Sequence, residues 1–344
     1  MDARVGVQAG TIRAMSRFLV DLHAHPGQFM LAAYADDHPL IVRTGGSKLR
    51  EANAAIRAAG LGLVSFATVS DLPLLRPGDA GLRAVRDFEP GEAMEVHRRQ
   101  VLAIRELASE RGHRLILGIG DATAARDAGE LGVLLACEGG DFLEGRIERV
   151  AEAYEDGVRS IQLVHYRVNE LGDIQTEAPV HGGLTDFGAG VIGEMNRLGM
   201  VVDLAHAPWS VARGALECSR APVMISHSHL ASGEDSAARL LSEEHALAVA
   251  EAGGVIGAWP SGMALGSFDE YLDEIERMVE LLGIEHVAIG TDMDGNYQPV
   301  MTRYDQFAEI ESGLAARGLG DDELGLLLGG NCLRLLRAVE EAAG

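Results

Sequence analysis

Lysine is nearly absent from this chain, which has a single example, Lys48, among its 344 residues. Acidic residues number 52 against 29 lysines and arginines, so the formal net charge is −23 and the pI is near 4.8. Nucleic acids and anionic membranes bind basic surfaces. The composition therefore argues against both as partners and indicates a surface that mainly keeps the protein soluble.

Cysteine is also scarce, and long apolar runs are missing. Cys137 and Cys332 lie in apolar stretches and Cys218 follows a helical pattern, without the paired spacing of a disulfide framework. We therefore expect reduced, structural thiols. Residues 1–17 lack the continuous apolar segment of a signal peptide, and no run is long enough to span a bilayer. These features predict a cytoplasmic protein.

Short apolar runs alternate with segments of helical periodicity along most of the chain. The runs are rich in Val, Ile and Leu without strict alternation, which is typical of parallel strands buried on both faces. The predicted strands are a first run ending at residues 23–25 and the runs 62–67, 133–137, 160–164, 200–205, 223–226, 255–259 and 287–290. The predicted helices are 48–59, 92–111, 143–156, 186–198 with Asp186 as its cap, 210–217, 243–251 and 268–282.

Eight strands separated by helices predict an α/β fold of the (β/α)₈ barrel type. We expect one domain over residues 1–344, with loop excursions near 26–46 and 71–90 and closing helices at 321–343. An open doubly wound sheet is the alternative, but it would carry a glycine-rich phosphate loop after an early strand. Residues 118–120 lack the spacing of that loop. The run 115–119 could also be a strand, and we favour 133–137 as the third barrel strand.

Potential ligands stand at the ends of these strands. His23 and His25 are one residue apart, so on a strand they point to the same face and can share one ion. Such a pair also occurs by chance, but further strands end in the same way, and reactive groups of a barrel collect at the carboxyl ends of its strands. The later strand-end residues are Glu138, His165, His206, His227 and Asp292.

Histidine nitrogens and a carboxylate suit a pair of divalent cations, and zinc fits this donor set best. Glu138 has two oxygens and can bridge two ions. A bridging carbamylated lysine is excluded because Lys48 lies in a helical stretch. Two ions would lower the pKa of a shared water and polarise a carbonyl. Asp292 could then orient the resulting hydroxide and carry its proton.

Seven short motifs stand out along the chain. They are 138–140 (EGG), 183–188 (GLTDFG), 194–200 (EMNRLGM), 202–206 (VDLAH), 222–228 (PVMISHS), 289–295 (IGTDMDG) and 329–331 (GGN). These motifs resemble those of the membrane (renal) dipeptidase family of the amidohydrolase superfamily, over nearly the whole chain from His23 to about Leu335. The resemblance implies a (β/α)₈ barrel with two zinc ions that cleaves dipeptides, some with a D-residue at the C-terminal position.

The resemblance also implies a role for individual residues. His165 would contact the substrate and stabilise the oxyanion, and Arg239 would bind the substrate's terminal carboxylate, to which a guanidinium can donate in two places. A hydroxide bridging the ions would attack the scissile carbonyl, and Asp292 would pass the proton to the leaving amine. The implied ligands are His23, His25 and Glu138 for one zinc ion, and Glu138, His206 and His227 for the other.

Three positions depart from the family pattern. The first motif is usually His-x-Asp, so His25 removes a negative charge, and we expect the first ion to be held less tightly and to be more electrophilic. His-x-His is the usual form in the wider superfamily. Asp141 stands where the family often has histidine, and residues 259–261 (WPS) differ from the family pattern in the substrate pocket.

Each assignment has a structural alternative that the sequence leaves open. His165 could be a core histidine bonded to the backbone, and Arg239 could be a solvated helix residue. His229 is predicted to be a loop residue rather than a third ligand. Asp294 competes with Asp292, and we favour Asp292 because it directly follows a strand.

The function also has alternatives. A zinc-dependent dipeptidase with a small dipeptide substrate is the first hypothesis. A related amidohydrolase that acts on another small amide, an N-acyl amino acid or a lactone is the second, favoured if the residues at 259–261 and Arg239 build a different pocket. A catalytically silent binding protein is the third, and the nearly complete ligand set argues against it. Family members often form dimers, so a homodimer is compatible with the resemblance.

Overall fold

The computed structural model describes residues 17–34, 37–38, 41–42, 45–78, 81–233 and 236–344. Its strands are β1 (Leu19–Ala24), β2 (Leu61–Val69), β3 (Leu75–Gly78), β4 (Gly81–Ala84), β5 (Arg114–Leu115), β6 (Gly132–Glu138), β7 (Val158–Gln162), β8 (Val201–Asp203), β9 (Met224–Ser228), β10 (Val255–Ala258) and β11 (Val287–Ile289). Eight of these described strands are parallel, pair in the order β1-β2-β6-β7-β8-β9-β10-β11 and are surrounded by helices, which confirms the predicted barrel.

The barrel closes where the end of β1 meets the segment after β11. The Asp292 N–H donates to the His23 carbonyl and the His25 N–H donates to the Met293 carbonyl, both at 2.8 Å. The buried Asp21 carboxylate accepts hydrogen bonds from the Thr291 N–H at 2.9 Å and its hydroxyl at 2.6 Å. This seam fixes the first and last strand ends relative to each other.

The predicted helices are present, and all but one of them begin and end within one residue of the predicted bounds. The exception is the helix predicted over 143–156: it begins at Glu148, and Gly140–Leu143 forms a 3₁₀ turn instead. Residues 114–115 pair with the start of β6, and Ile119 begins a helix, so the choice of residues 133–137 as the third barrel strand is confirmed. The helices are α1 (Leu49–Ala58), α2 (Glu92–Arg111), α3 (Ile119–Ala128), α4 (Glu148–Glu155), α5 (Asp186–Leu198), α6 (Trp209–Cys218), α7 (Glu243–Glu251), α8 (Phe268–Leu282), α9 (Phe307–Ala316), α10 (Asp321–Gly325) and α11 (Asn331–Glu341).

One helix cap was predicted wrongly. Thr185, not Asp186, caps α5: its hydroxyl accepts a hydrogen bond from the Gly188 N–H at 3.0 Å. Asp186 is the first helical residue, where its charge still complements the helix dipole. The sequence does not distinguish the two roles, because Thr185 and Asp186 are adjacent and both have short side chains that can accept a hydrogen bond at a helix N-terminus.

Two predicted excursions contain local structure. Pro26–Ala33 is a 3₁₀ segment that buries Phe29 beside β2, and residues 71–90 contain the antiparallel hairpin β3–β4. Residues 35–36, 39–40 and 43–44 of the first excursion and 79–80 of the second lie outside the described part of the chain. Within that part, no helix is both long and apolar enough to cross a membrane.

The C-terminal helices cover the amino ends of the strands. Leu335, Leu336 and Val339 of α11 join one apolar cluster with early residues of the strands, among them Leu63 and Val255. Between α10 and α11 a π-helical turn, Leu326–Gly330, places the Asn331 amide so that it donates to the carbonyls of Ile284 and Val287. The amino end of the barrel is therefore filled, which leaves the carboxyl end for a site.

Two glycines permit close approach of neighbouring strands. A Cβ on Gly257 would lie 2.0 Å from the Ser226 carbonyl oxygen, and one on Gly290 would lie 1.8 Å from the same oxygen. Backbone atoms cannot yield as a flexible side chain can. These positions therefore require glycine for packing rather than for an unusual φ angle.

We predict that Gly290→Ala lowers the free energy of unfolding by about 1–3 kcal/mol or more, the usual cost of overpacking. Gly193→Ala is the matched control, because Gly193 is exposed in the interior of α5 with open space around its Cβ position. That change should raise stability by up to about 1 kcal/mol through helix propensity. Denaturant unfolding of both variants measures the difference, and equal effects would contradict the packing argument.

Candidate active site at the carboxyl end of the barrel

The carboxylate of Glu138 is surrounded by imidazole rings. It ends β6, is 3% exposed, and lies at the centre of the strand-end residues predicted from the sequence. Its Oε1 lies 3.5, 3.4, 3.3 and 3.5 Å from Nε2 of His23, His165, His206 and His227, and its Oε2 lies 3.2 Å from Nε2 of His25.

The other ring nitrogen of most of these histidines has its own partner. His25 Nδ1 lies 2.9 Å from the Ala67 carbonyl, so it must carry the proton that it donates. The Ser226 hydroxyl lies 3.2 Å from His23 Nδ1 and 3.0 Å from His227 Nδ1. Hydrogen bonding at Nδ1 orients the rings and leaves Nε2 for a ligand.

The Nε2 atoms fit a metal centre better than a hydrogen-bond network. His23 Nε2 is buried and has no hydrogen-bond partner among the described residues, and Nε2 of His206 faces Nε2 of His227 at 3.2 Å. Two lone pairs at that distance repel unless a proton or a cation lies near them. In the part of the chain that the structure describes, two groups could hold an ion, with ligand atoms within 4.8 Å of one another: His23, His25 and Glu138, and Glu138, His206 and His227.

Histidines of the two possible ion-binding groups differ in their pKa values. Burial holds the pKa of His206 and of His227 well below the usual histidine value, so both rings are neutral. Burial opposes protonation of His25 too, but hydrogen bonds from its ring to Asp292 and Glu138 outweigh it and raise the His25 pKa to about 10. An ion in the first group must therefore displace a proton from His25, which weakens binding as the pH falls.

His165 lies at the edge of the cluster and is held by a residue that the sequence analysis missed. The buried Asp71 carboxylate accepts from His165 Nδ1 at 2.8 Å and from the Tyr166 N–H at 3.2 Å. Burial opposes a charged His165 ring, but the carboxylates of Asp71 and Glu138 outweigh it and raise its pKa. His165 is thus bonded to a carboxylate rather than to the backbone, and its Nε2 points toward the cluster.

Asp292, rather than Asp294, faces the cluster. Asp292 Oδ1 lies 3.3 Å from His25 Nε2, whereas Asp294 Oδ2 accepts a hydrogen bond from the Gly27 N–H at 2.6 Å. Asp292 has a left-handed φ of 52°, a conformation with a cost that functional sites often carry. A Cβ on Gly295 would lie 2.7 Å from Asp292 Oδ1 and 2.4 Å from the His25 ring, so only glycine fits there.

Arg239 is buried rather than solvated, and it lies outside any helix. It is 2% exposed, and its guanidinium donates to Gln175 Oε1 at 2.5 Å and lies 5.2 Å from the Trp259 ring centre. Within the described part of the chain, its Nε and second terminal nitrogen have no hydrogen-bond partner. Buried donors without a partner are costly, so these two favour an anionic ligand.

A cavity of about 870 Å³ opens above the cluster. It is lined by His25, Glu138, His165 and Asp292 and by Trp259, which belongs to the segment 259–261 that departs from the family pattern.

Asp141, which stands where the family often has histidine, lies beside this site. Its Oδ1 accepts from Arg167 at 3.0 Å, and burial together with the nearby Asp71 charge raises the pKa of Asp141 to about 7.

Asp71 was missed because residues 71–90 show no hydrophobic period and because it lies four residues beyond the predicted strand 62–67, whereas the predicted strand-end residues lie within two residues of their strands. The observed β2 continues to Val69, so the available signal was an acidic residue shortly after a strand. His229 is a buried residue whose ring lies 6.0 Å from that of Trp259, and it belongs to neither of the groups that could hold an ion.

Glu138→Gln should lose most of the bound metal, because a neutral amide replaces the carboxylate that both groups share. Metal analysis of the purified protein measures this. Glu274→Gln is the control: Glu274 is a buried carboxylate on α8 that accepts from the Leu230 N–H, away from the cluster. A Glu138→Gln protein with a full metal complement would contradict the shared-ligand arrangement.

Asp71→Asn should keep its metal and lower kcat about tenfold or more, because the partner that fixes the ring of a functional histidine typically has an effect of this size. The asparagine still accepts from Tyr166 but no longer selects the Nδ1–H form of His165. Asp127→Asn, an exposed change on α3, is the control. Loss of metal with an unchanged kcat per bound ion would contradict this positioning role.

Known proteins resemble the chain in sequence. It is 30% identical to Dipeptidase aclJ of Aspergillus oryzae over 79% of this chain and 70% of that protein. It is 29% identical to Dipeptidase 3 of Rattus norvegicus over 73% of this chain and 53% of that protein. The matched region thus spans 53–70% of the length of these two relatives.

A metallopeptidase from Rhodobacter sphaeroides, solved with a phosphinate mimic of the dipeptide L-Ala-D-Ala, has a similar fold. Its TM-score is 0.78, with 17% identity over 93% of this chain and 99% of that one. The sequence model of the membrane dipeptidase family, peptidase family M19, matches residues 62–344. The chain therefore belongs to this family of metal-dependent hydrolases.

Proposed function

We propose that this protein is a dipeptidase that binds two zinc ions, with Glu138 as the ligand common to both. The observation that carries the proposal is the convergence of five Nε2 atoms on one buried carboxylate, at 3.2–3.5 Å. His23 and His25 would complete one ion's ligand set, and His206 and His227 the other's. When bound, such ions supply Lewis acidity for the scissile carbonyl and activate a water molecule.

The protein's own groups bind the substrate and move the proton. His165, held through Nδ1 by Asp71, presents Nε2–H to the carbonyl oxygen, where negative charge develops. Asp292 accepts the proton of the attacking water and passes it to the leaving amine. Asp292 lines the cavity, and its Oδ1 lies 3.3 Å from Nε2 of His25, one of the proposed ligands, so it is close to where the attacking water would be held.

Arg239 would bind the free carboxylate at the substrate's C-terminal end. Among the described residues, its buried Nε and one terminal nitrogen have no hydrogen-bond partner, and Gln175 fixes the other terminal nitrogen. A carboxylate can accept from both free donors. The clamp would select dipeptides over longer peptides, because a peptide bond in that place brings no negative charge.

A second candidate is hydrolysis of N-acyl amino acids, and one observation favours it. The acidic residues among the described residues that line the cavity are Glu138 and Asp292, which the proposed mechanism already uses. A dipeptide's ammonium group therefore has no dedicated carboxylate. The acyl analogue lacks this charge but keeps the C-terminal carboxylate for Arg239.

Arg239→Ala tests the proposal directly. For dipeptides with a free carboxylate we expect KM to rise about tenfold to a hundredfold, the loss of charge-assisted hydrogen bonds. For the matching dipeptide amides, KM should hardly change. Arg213→Ala, an exposed change on α6, should leave both values unaltered.

The assay uses metal-loaded protein with L,L and L,D dipeptides and their N-acetyl analogues. The L,D compounds are included because the similar Rhodobacter peptidase was solved with a mimic of L-Ala-D-Ala. Cleavage of dipeptides that a chelator abolishes is the expected result. Cleavage of the N-acetyl compounds alone would favour the second candidate, and no cleavage of any amide would contradict both.

A further inference from the structure

The hairpin β3–β4 after Asp71 has two chemically different faces. Its antiparallel register pairs Leu75 with Ala84 and Pro77 with Leu82, and it pairs Arg76 with Arg83 between them. Directly opposed residues share a face and successive residues alternate. One face is therefore apolar and the other carries two arginines.

The apolar face is turned toward the cavity. Leu75, Pro77 and Leu82 line it, whereas neither hairpin arginine does. Leu72 and Met30 extend the same wall. A two-stranded hairpin has little stability alone and needs an apolar face to pack, yet Leu82 remains 41% exposed at this wall. The wall thus retains apolar surface that a ligand can cover.

The strand order places this wall opposite Arg239. The hairpin follows β2, and Arg239 lies in the connection after β9. Three strands separate β2 from β9 in either direction around the barrel: β6, β7 and β8 one way, and β10, β11 and β1 the other. A substrate whose carboxylate lies on Arg239 and whose scissile bond lies at Glu138 therefore extends its acyl end toward the hairpin.

We propose that the hairpin face is a specificity subsite for a large, uncharged, apolar group on the acyl side of the scissile bond. This inference rests on the proposed function, whose carboxylate clamp sets the direction of the substrate. Leu, Met or Phe side chains fit the wall's chemistry. A charged side chain would lose water there, because the wall residues Met30, Leu72, Leu75, Pro77 and Leu82 offer no counter-ion.

The test compares kcat/KM for leucyl-, glycyl-, aspartyl- and lysyl-alanine in metal-loaded protein. We expect the leucyl substrate to exceed each of the others by about tenfold or more, the usual effect of an apolar pocket. Leu82→Glu should lower the leucyl-to-lysyl ratio by about tenfold or more, since it replaces apolar surface by a carboxylate that can pair with lysine. Leu102→Glu on α2 is the control: Leu102 is also an exposed leucine but does not line this cavity, so the same substitution there should leave the ratio unchanged.

Two outcomes would overturn the inference alone: similar kcat/KM values for the four substrates, or a Leu82→Glu protein with the original leucyl-to-lysyl ratio. Absence of turnover for every amide substrate would overturn the proposed function and this inference together. The ratio within one protein sample is independent of how much of a variant folds. A partly unfolded Leu82→Glu preparation therefore still gives a decisive result.

Discussion

The site depends on one buried carboxylate whose negative charge must be neutralised. Glu138 is shielded from water, and burial by itself would raise its pKa, but the nearby rings of His165 and His23 outweigh burial and hold the pKa well below the usual range. A buried charge without such partners would cost several kcal/mol. The surrounding strand ends therefore have to bring polar groups to this point, and divalent cations are the partners that suit the remaining lone pairs.

The barrel provides this convergence through its geometry. Strand ends lie side by side around one axis, and the seam between β1 and β11 fixes His23 and Asp292 through a backbone hydrogen bond. Gly257 and Gly290 let neighbouring strands approach the Ser226 backbone, and the Ser226 hydroxyl in turn orients two of the histidines. Packing requirements and ligand orientation thus meet in the same few residues.

The sequence predicted the barrel because buried parallel strands appear as unbroken apolar runs. A residue directly after such a run lies at the carboxyl end of the barrel, so the strand-end ligands were also predictable. The sequence did not predict Asp71 or the hairpin, because residues 71–90 lack any period and their contacts are with distant strands. The surroundings of Arg239 could not be predicted either, because its side chain contacts Gln175 and Trp259, which belong to other loops. Local sequence patterns thus identify the strand ends, whereas contacts between distant segments require the folded structure.

Anomalous X-ray diffraction from crystals of the zinc-loaded protein, recorded at the zinc absorption edge, would show whether two metal ions share Glu138. We expect two strong peaks, one among His23, His25 and Glu138 and one among Glu138, His206 and His227. A single peak in fully loaded crystals, or peaks away from Glu138, would rule out the shared ligand.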